Sequence, residues 1–160
     1  MLARRDFLGG LSACAVAGCA SPETGRAERK VRLGFITDCH YAAHIDRGPL
    51  LQYPQGCGKV RAFADEMNRQ GADFVIEGGD FKDLGRSPAE SLAYLDAIES
   101  ELARFRGPRY HVLGNHDMDC LTKEMFFEHV LDGGVRPTCG YYSFVRGGVT
   151  FVVLDGCYTN

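Results

Sequence analysis

At 160 residues the chain is long enough for one hydrophobic core, so a single folded body is the expected organisation. Its formal net charge of −3, with charges of both signs mixed along the sequence, gives no basic footprint of a nucleic-acid binder. A hydrophobic fraction of 45% is ordinary for a globular protein and narrows the function no further.

The first residues stand apart from the body. Arg4-Arg5 precede an apolar, small-residue run from Phe7 to Ala17, the layout of an export signal too short to span a bilayer permanently. Arg4-Arg5-Asp6-Phe7-Leu8 resembles a twin-arginine signal, the route taken by proteins that fold before export. Val16-Ala17-Gly18-Cys19 resembles a lipobox whose cysteine is acylated, and Leu11-Ser12-Ala13-Cys14 fits the same pattern. Cys19 is the better site, because cleavage at Cys14 leaves only Phe7 to Ala13 as apolar region. Without acylation the product is soluble. The expected location is thus the periplasm, or the outer side of the cytoplasmic membrane with an anchor at Cys19. Cys39, Cys57, Cys120, Cys139 and Cys157 remain in the body, an odd number without CxxC spacing, which reads as scattered thiols rather than a disulfide framework.

Residues 1–19 are thus read as the signal, 20–30 as a polar linker carrying Pro22 and Gly25, and 31–160 as the body. Val31 to Thr37 reads as a strand ending at Asp38. Lys59 to Gln70 has Val60, Phe63, Ala64 and Met67 at helical spacing, with Gly71 placed to end the helix. Phe74-Val75-Ile76 is a short buried-strand run. Ser87-Pro88-Ala89-Glu90 supplies a cap, a first-turn proline and a capping-box glutamate for a helix that stops before Gly107-Pro108. Tyr110 to Leu113 is a third strand, and Thr122 to Leu131 a short helix. Tyr141 to Asp155 reads as two strands joined at Gly147-Gly148. Strand, helix, strand, helix, strand implies an α/β body with parallel strands and right-handed crossovers.

Three polar clusters each follow one of these strands: Asp38-Cys39-His40, Gly78-Gly79-Asp80 and Gly114-Asn115-His116-Asp117. Ligands of open α/β sheets bind beyond the carboxyl ends of the strands, so the three clusters converge on one edge. Each cluster alone is a common turn or cap; all three in order are not. Carboxylate, imidazole and amide oxygen suit borderline-to-hard divalent ions such as Mn²⁺, Fe or Zn²⁺. Asp38 and His40 can turn toward one metal, and Asp80, with two carboxylate oxygens, can serve two. Asn115 can give its amide oxygen to the second ion, and His116 beside Asp117 has the character of a proton donor oriented by a carboxylate.

Asp38-x-His40, Gly79-Asp80-Phe81-x-Asp83 and Gly114-Asn115-His116-Asp117 resemble the first three signatures of calcineurin-like metallophosphoesterases, a likeness that spans about Val31 to Asp155. The resemblance implies the N-terminal half of a two-sheet sandwich flanked by helices. It implies two divalent ions, with Asp38 and His40 on the first, Asp80 bridging and Asn115 on the second. His116 would protonate the leaving group, Asp117 would support it, and a bridging hydroxide would attack a phosphate mono- or diester in line. Asp83 is either a supporting acid or an exposed one.

The same pattern continues with a Gly-His and a Gly-His-x-His, and this sequence has neither. His44 reads as a solvated loop residue, His111 as a packed strand residue and His129 as part of a helix face. The sequence stops after the strand Thr150 to Leu154, so the expectation is an incomplete fragment with one apolar sheet face exposed and poor activity. Two other readings stay open: a lipid-anchored, non-catalytic binding protein with a degenerate site, and an enzyme completed by another chain. The loop Tyr41 to Gly58 is long for a strand-to-helix connection and reads equally as a substrate rim or a variable surface loop.

Overall fold

The computed structural model describes residues 30–44 and 51–157. The export signal, Cys14 and Cys19, and nearly all of the linker lie outside the described residues. The alternation of strand and helix is realised as read from the sequence. Strands β1 (Leu33–Ile36), β2 (Phe74–Glu77) and β3 (Arg109–His111) form a parallel sheet in the order β1-β2-β3. Helices α1 (Gly56–Gln70) and α2 (Pro88–Leu102) are the crossovers. In register, Leu33 stands beside Phe74, and Glu77 stands between Ile36 and His111. The third strand ends earlier than its apolar run, because the Val112 N–H closes the ladder on the Glu77 carbonyl at 2.9 Å and the chain then turns toward the third cluster.

Local chemistry explains the helix limits. Helix α1 starts three residues before the predicted Lys59, following a 3₁₀ turn at Tyr53–Gln55, and ends where Gly71 takes φ 64°, a conformation glycine adopts without penalty. Ser87 caps α2 by accepting the Glu90 N–H at 3.3 Å. The Glu90 carboxylate reaches past Ser87 to the Arg86 N–H at 2.6 Å, so the capping box closes one residue early. Helix α3 is only Lys123–Phe127, shorter than the apolar spacing suggested, and Thr122 caps it. His129 lies beyond its end and pairs with Asp96 at 2.5 Å.

The sheet separates two apolar layers. On one side Val60 and Ala64 of α1, Val75, and Leu95, Ile98 and Leu102 of α2 are all fully buried in one cluster. Each of the valine, leucine and isoleucine side chains contributes roughly 1.5–3 kcal/mol relative to exposure. On the other side the hairpin β4 (Tyr142–Arg146) and β5 (Val149–Val153) lays Phe144 on Tyr110, ring centroids 3.6 Å apart, and Phe151 on Phe74 at 4.9 Å. Its turn has Gly147 and Gly148 both at positive φ, as a two-residue type I′ turn requires. The hairpin does not reach β1: Leu33 and Phe35, on the same face as Phe74, are 45% and 57% exposed.

His111 is the packed residue its position suggested, and it is buried with charge. Its Nδ1 meets Asp132 at 2.9 Å and its Nε2 meets Glu99 at 3.0 Å, while Arg109 bonds the other Glu99 oxygen at 2.8 Å. The Tyr142 hydroxyl donates to the His111 carbonyl at 2.7 Å, tying the hairpin to the same point. Burial alone would lower the His111 pKa, but Glu99 and Asp132 outweigh it and hold the imidazolium up to about 10. The folded pKa lies above the unfolded value of about 6.5. This stabilisation is therefore complete below pH 6.5 and is lost as pH rises toward 10. Thermal melts of the wild type should fall across that window by the equivalent of a few kcal/mol. Those of His111→Gln should start lower at pH 6 and change less over the same range. An equal pH slope in both proteins would contradict the assignment.

Candidate metal centre

The three clusters leave the sheet as loops, and two of those loops carry backbone strain. Asp38, His40 and Asp80 have φ of 55°, 45° and 55°, and Cys120 is the one other non-glycine residue at positive φ among those described. Such conformations cost on the order of 1–3 kcal/mol each and persist only where the surroundings enforce them. Here a continuation of the β1–β2 pairing enforces them. Asp38 N–H donates to the Gly79 carbonyl at 3.0 Å, His40 N–H to Asp80 at 2.9 Å and Tyr41 N–H to Phe81 at 3.1 Å. The third loop presses on the second with no room for side chains. A Cβ on Gly114 would lie 2.1 Å from the Asp80 nitrogen, and Gly79, at φ 104°, faces Gly114 in turn.

The result is a convergence of acceptors. His40 Nδ1 bonds Asp83 at 3.0 Å, a carboxylate partner that calls for a proton on Nδ1 and turns Nε2 toward the other clusters. That nitrogen faces Asp38 Oδ1 at 3.8 Å and Asp80 Oδ2 at 3.7 Å, too far for hydrogen bonds and suited to three ligands of one cation. One ligand atom from each of the three lies within 4.8 Å of the others. Thr37 Oγ1 donates to Asp38 at 2.7 Å and steadies the most exposed of the set. Asp80 is used on both sides: its Oδ2 faces His40, and its Oδ1 accepts the His116 N–H at 2.9 Å. Two carboxylates and an imidazole nitrogen at these distances fit a hard or borderline divalent ion. Cys39, between two of these ligands, is pushed up to about 12 by burial and by Glu77, so it stands as a thiol rather than a thiolate ligand.

The remaining predicted residues fall into different places. Asn115 is exposed at the head of the 3₁₀ turn His116–Met118 and makes no side-chain cap bond, so its amide is free for a ligand. The His116 ring is held by Asp119, Nδ1 to Oδ2 at 2.9 Å, and not by Asp117, as the adjacent position suggested. Asp117 instead points inward and is fully buried. It accepts four backbone N–H groups, from Asp80 and Gly114 at 2.9 Å, Phe81 at 3.0 Å and Lys82 at 3.2 Å. Burial nevertheless pushes it up to about 6. His44 is exposed.

Several participants carry little sequence signal. Asp83 is 1% exposed and orients His40, although its position was equally readable as a surface acid. Asp119 lies three residues after His116, a spacing that brings side chains together on a tight turn and was legible in principle. Tyr53 stacks on His40, ring centroids 5.4 Å apart, which brings one end of the long loop after β1 to the site. Glu77 is fully buried and its Oε1 accepts the Gly79 N–H at 2.8 Å. Desolvation and Asp117 raise its pKa well above the usual carboxylate value.

Comparisons with known proteins agree with this geometry. The calcineurin-like phosphoesterase family pattern matches residues 31–156. A manganese-dependent ADP-ribose/CDP-alcohol diphosphatase of Arabidopsis thaliana is 31% identical over 129 residues, 77% of this chain and 41% of that protein. A probable cyclic nucleotide phosphodiesterase of Rhodopseudomonas palustris is 31% identical over 124 residues, 75% of this chain and 40% of that protein. A crystal structure of a dimetal phosphatase from Danio rerio is similar in fold, with a TM-score of 0.53 at 22% identity, covering 61% of this chain and 33% of that one. The chain spans about two fifths of the length of the curated relatives it matches. With its three strand-end clusters converging as described and the family pattern running through the whole body, the chain belongs to the calcineurin-like phosphoesterase family.

Proposed function

We propose that the protein hydrolyses phosphate mono- or diesters at a dinuclear metal centre built on Asp38, His40, Asp80 and Asn115. The observation that carries this reading is the meeting of Asp38, His40 Nε2 and Asp80 on strained backbone, with Asp80 turned to both sides. Two divalent ions there, manganese by analogy with the plant relative's name, would supply Lewis-acid charge and an activated water. The protein's own residues do the rest. Asp83 keeps His40 in the ligand tautomer, and Asp117 fixes the second and third loops against each other. The imidazole of His116, held by Asp119, gives a proton to the departing oxygen as the P–O bond breaks. The residues present supply the first-ion ligands, the bridge, one second-ion ligand and the proton donor.

The purified chain, assayed with Mn²⁺ on p-nitrophenyl phosphate and bis-p-nitrophenyl phosphate, should hydrolyse at least one of them. Chelation should abolish the activity, and Asp80→Asn should lower kcat by roughly 10²-fold or more, as loss of a shared ligand implies. Activity indifferent to chelator and to Asp80→Asn would sink the mechanism. A non-catalytic binding role would instead give metal-dependent ligand binding with no turnover.

Export is the second part of the proposal, supported by the sequence Arg4-Arg5-Asp6-Phe7-Leu8 and the cysteine at Cys19. No helix among the described residues is long and apolar enough to cross a membrane. Replacing Arg4-Arg5 with lysines should leave the precursor in the cytoplasm, read by fractionation. Mass spectrometry should find a diacylglyceryl group on Cys19. Unchanged export of the double-lysine variant would refute the twin-arginine route.

A further inference from the structure

Lys82 follows the metal loop by two residues and is fully buried. Burying an ammonium is costly unless its protons are taken up. Two main-chain oxygens take them up: the His116 carbonyl at 2.5 Å and the Asp119 carbonyl at 2.8 Å. These two carbonyls bracket the 3₁₀ turn His116–Met118. Such a turn coheres poorly alone. Its own bonds are Met118 N–H to the Asn115 carbonyl at 3.2 Å and Asp119 N–H to the His116 carbonyl at 3.1 Å. The ring-to-carboxylate pair it carries is 36% and 37% exposed, so that pair by itself holds little. At the front the turn is fastened by His116 N–H on Asp80. At the back it is fastened by Lys82.

We propose that Lys82 is a positioning residue for the proton donor. Its buried ammonium clamps the two carbonyls that flank His116 and Asp119, so the imidazole keeps Nδ1 on Asp119 and leaves Nε2 free to serve the leaving group. This rests on His116 being the donor. In that step the ester P–O bond breaks with its electron pair passing to the leaving oxygen. With the ring doubly protonated and its Nδ1–H held on Asp119, that oxygen takes the Nε2 proton while a water oxygen forms the new bond to phosphorus and sheds its own proton to solvent. The imidazole then regains a proton from water. The clamp acts through backbone carbonyls, so its loss would loosen the donor while removing no side chain of Asp38, His40 or Asp80.

The test uses the full chain with Lys82→Met, Lys82→Gln and His116→Ala. The first readout does not need activity: long-range ¹H–¹⁵N spectra of the imidazoles in metal-free protein. Wild type should show His116 as one tautomer with Nδ1 protonated. Lys82→Met should show it averaged between tautomers, while the His111 ring, held by Glu99 and Asp132, stays unchanged and reports an intact fold. Lys82→Gln, whose amide can reach one carbonyl, should fall between them. An unchanged His116 in Lys82→Met overturns the proposal. So does a His111 signal lost in Lys82→Met with His116 unchanged in Lys82→Gln, which would make Lys82 a core residue only.

The second readout is Mn²⁺-dependent hydrolysis of phenyl phosphate against p-nitrophenyl phosphate. Lys82→Met should lower kcat about 10-fold more on the poorer leaving group with KM unchanged, and add nothing in the His116→Ala background. An equal loss on both substrates, or a further loss in that background, contradicts it. If the wild type shows no metal-dependent turnover, the function proposed above fails, and the tautomer measurement still decides the role of Lys82.

Discussion

Asp117 is the side chain on which the arrangement depends. Its single carboxylate accepts N–H groups from Asp80, Phe81 and Lys82 of the second loop and from Gly114 of the third. These loops leave different strands and have no sequence contiguity. A buried acceptor shared between them is what makes them one surface. The cost of placing a carboxylate there is visible in its pKa, raised to about 6 by desolvation despite four donors. The glycines at 79 and 114 let the two backbones close to that distance, and any side chain at Gly114 would displace Asp80 itself.

Given that anchor, the strain at Asp38, His40 and Asp80 has a cause and a consequence. The pairing of the first two loops carries on past the ends of β1 and β2, which holds three residues at positive φ that would otherwise relax. Preorganisation of this kind places repelling carboxylates together before a cation arrives. An ion that satisfies them gains the full interaction without first ordering the loops. Asp83 and Asp119 complete the arrangement by fixing one imidazole each, His40 and His116.

Much of the fold was legible in the sequence because it rests on local signals. Helical spacing, Gly71, the Ser87-Pro88 cap and the paired glycines at 147 and 148 each act within a few residues. The family likeness supplied the candidate ligands, and three of them, Asp38, His40 and Asp80, meet. What sequence did not show is set by contacts between distant segments. Asp117 was read as the partner of the histidine beside it, whereas the positions of Asp80 and Gly114 in space turn it the other way. Nothing local in Phe81-Lys82-Asp83 distinguishes a buried lysine under a turn from a surface one. The exposure of Leu33 and Phe35 likewise follows from distant packing, since the hairpin covers only β2 and β3.

The most direct test is crystallographic. Crystals of the chain grown with Mn²⁺ and measured at the manganese absorption edge should show an anomalous peak within bonding distance of Asp38, His40 Nε2 and Asp80. A second, weaker peak should lie on the Asn115 side of Asp80. Manganese bound elsewhere, or a site in which His40 presents Nδ1 and releases Asp83, would contradict the account.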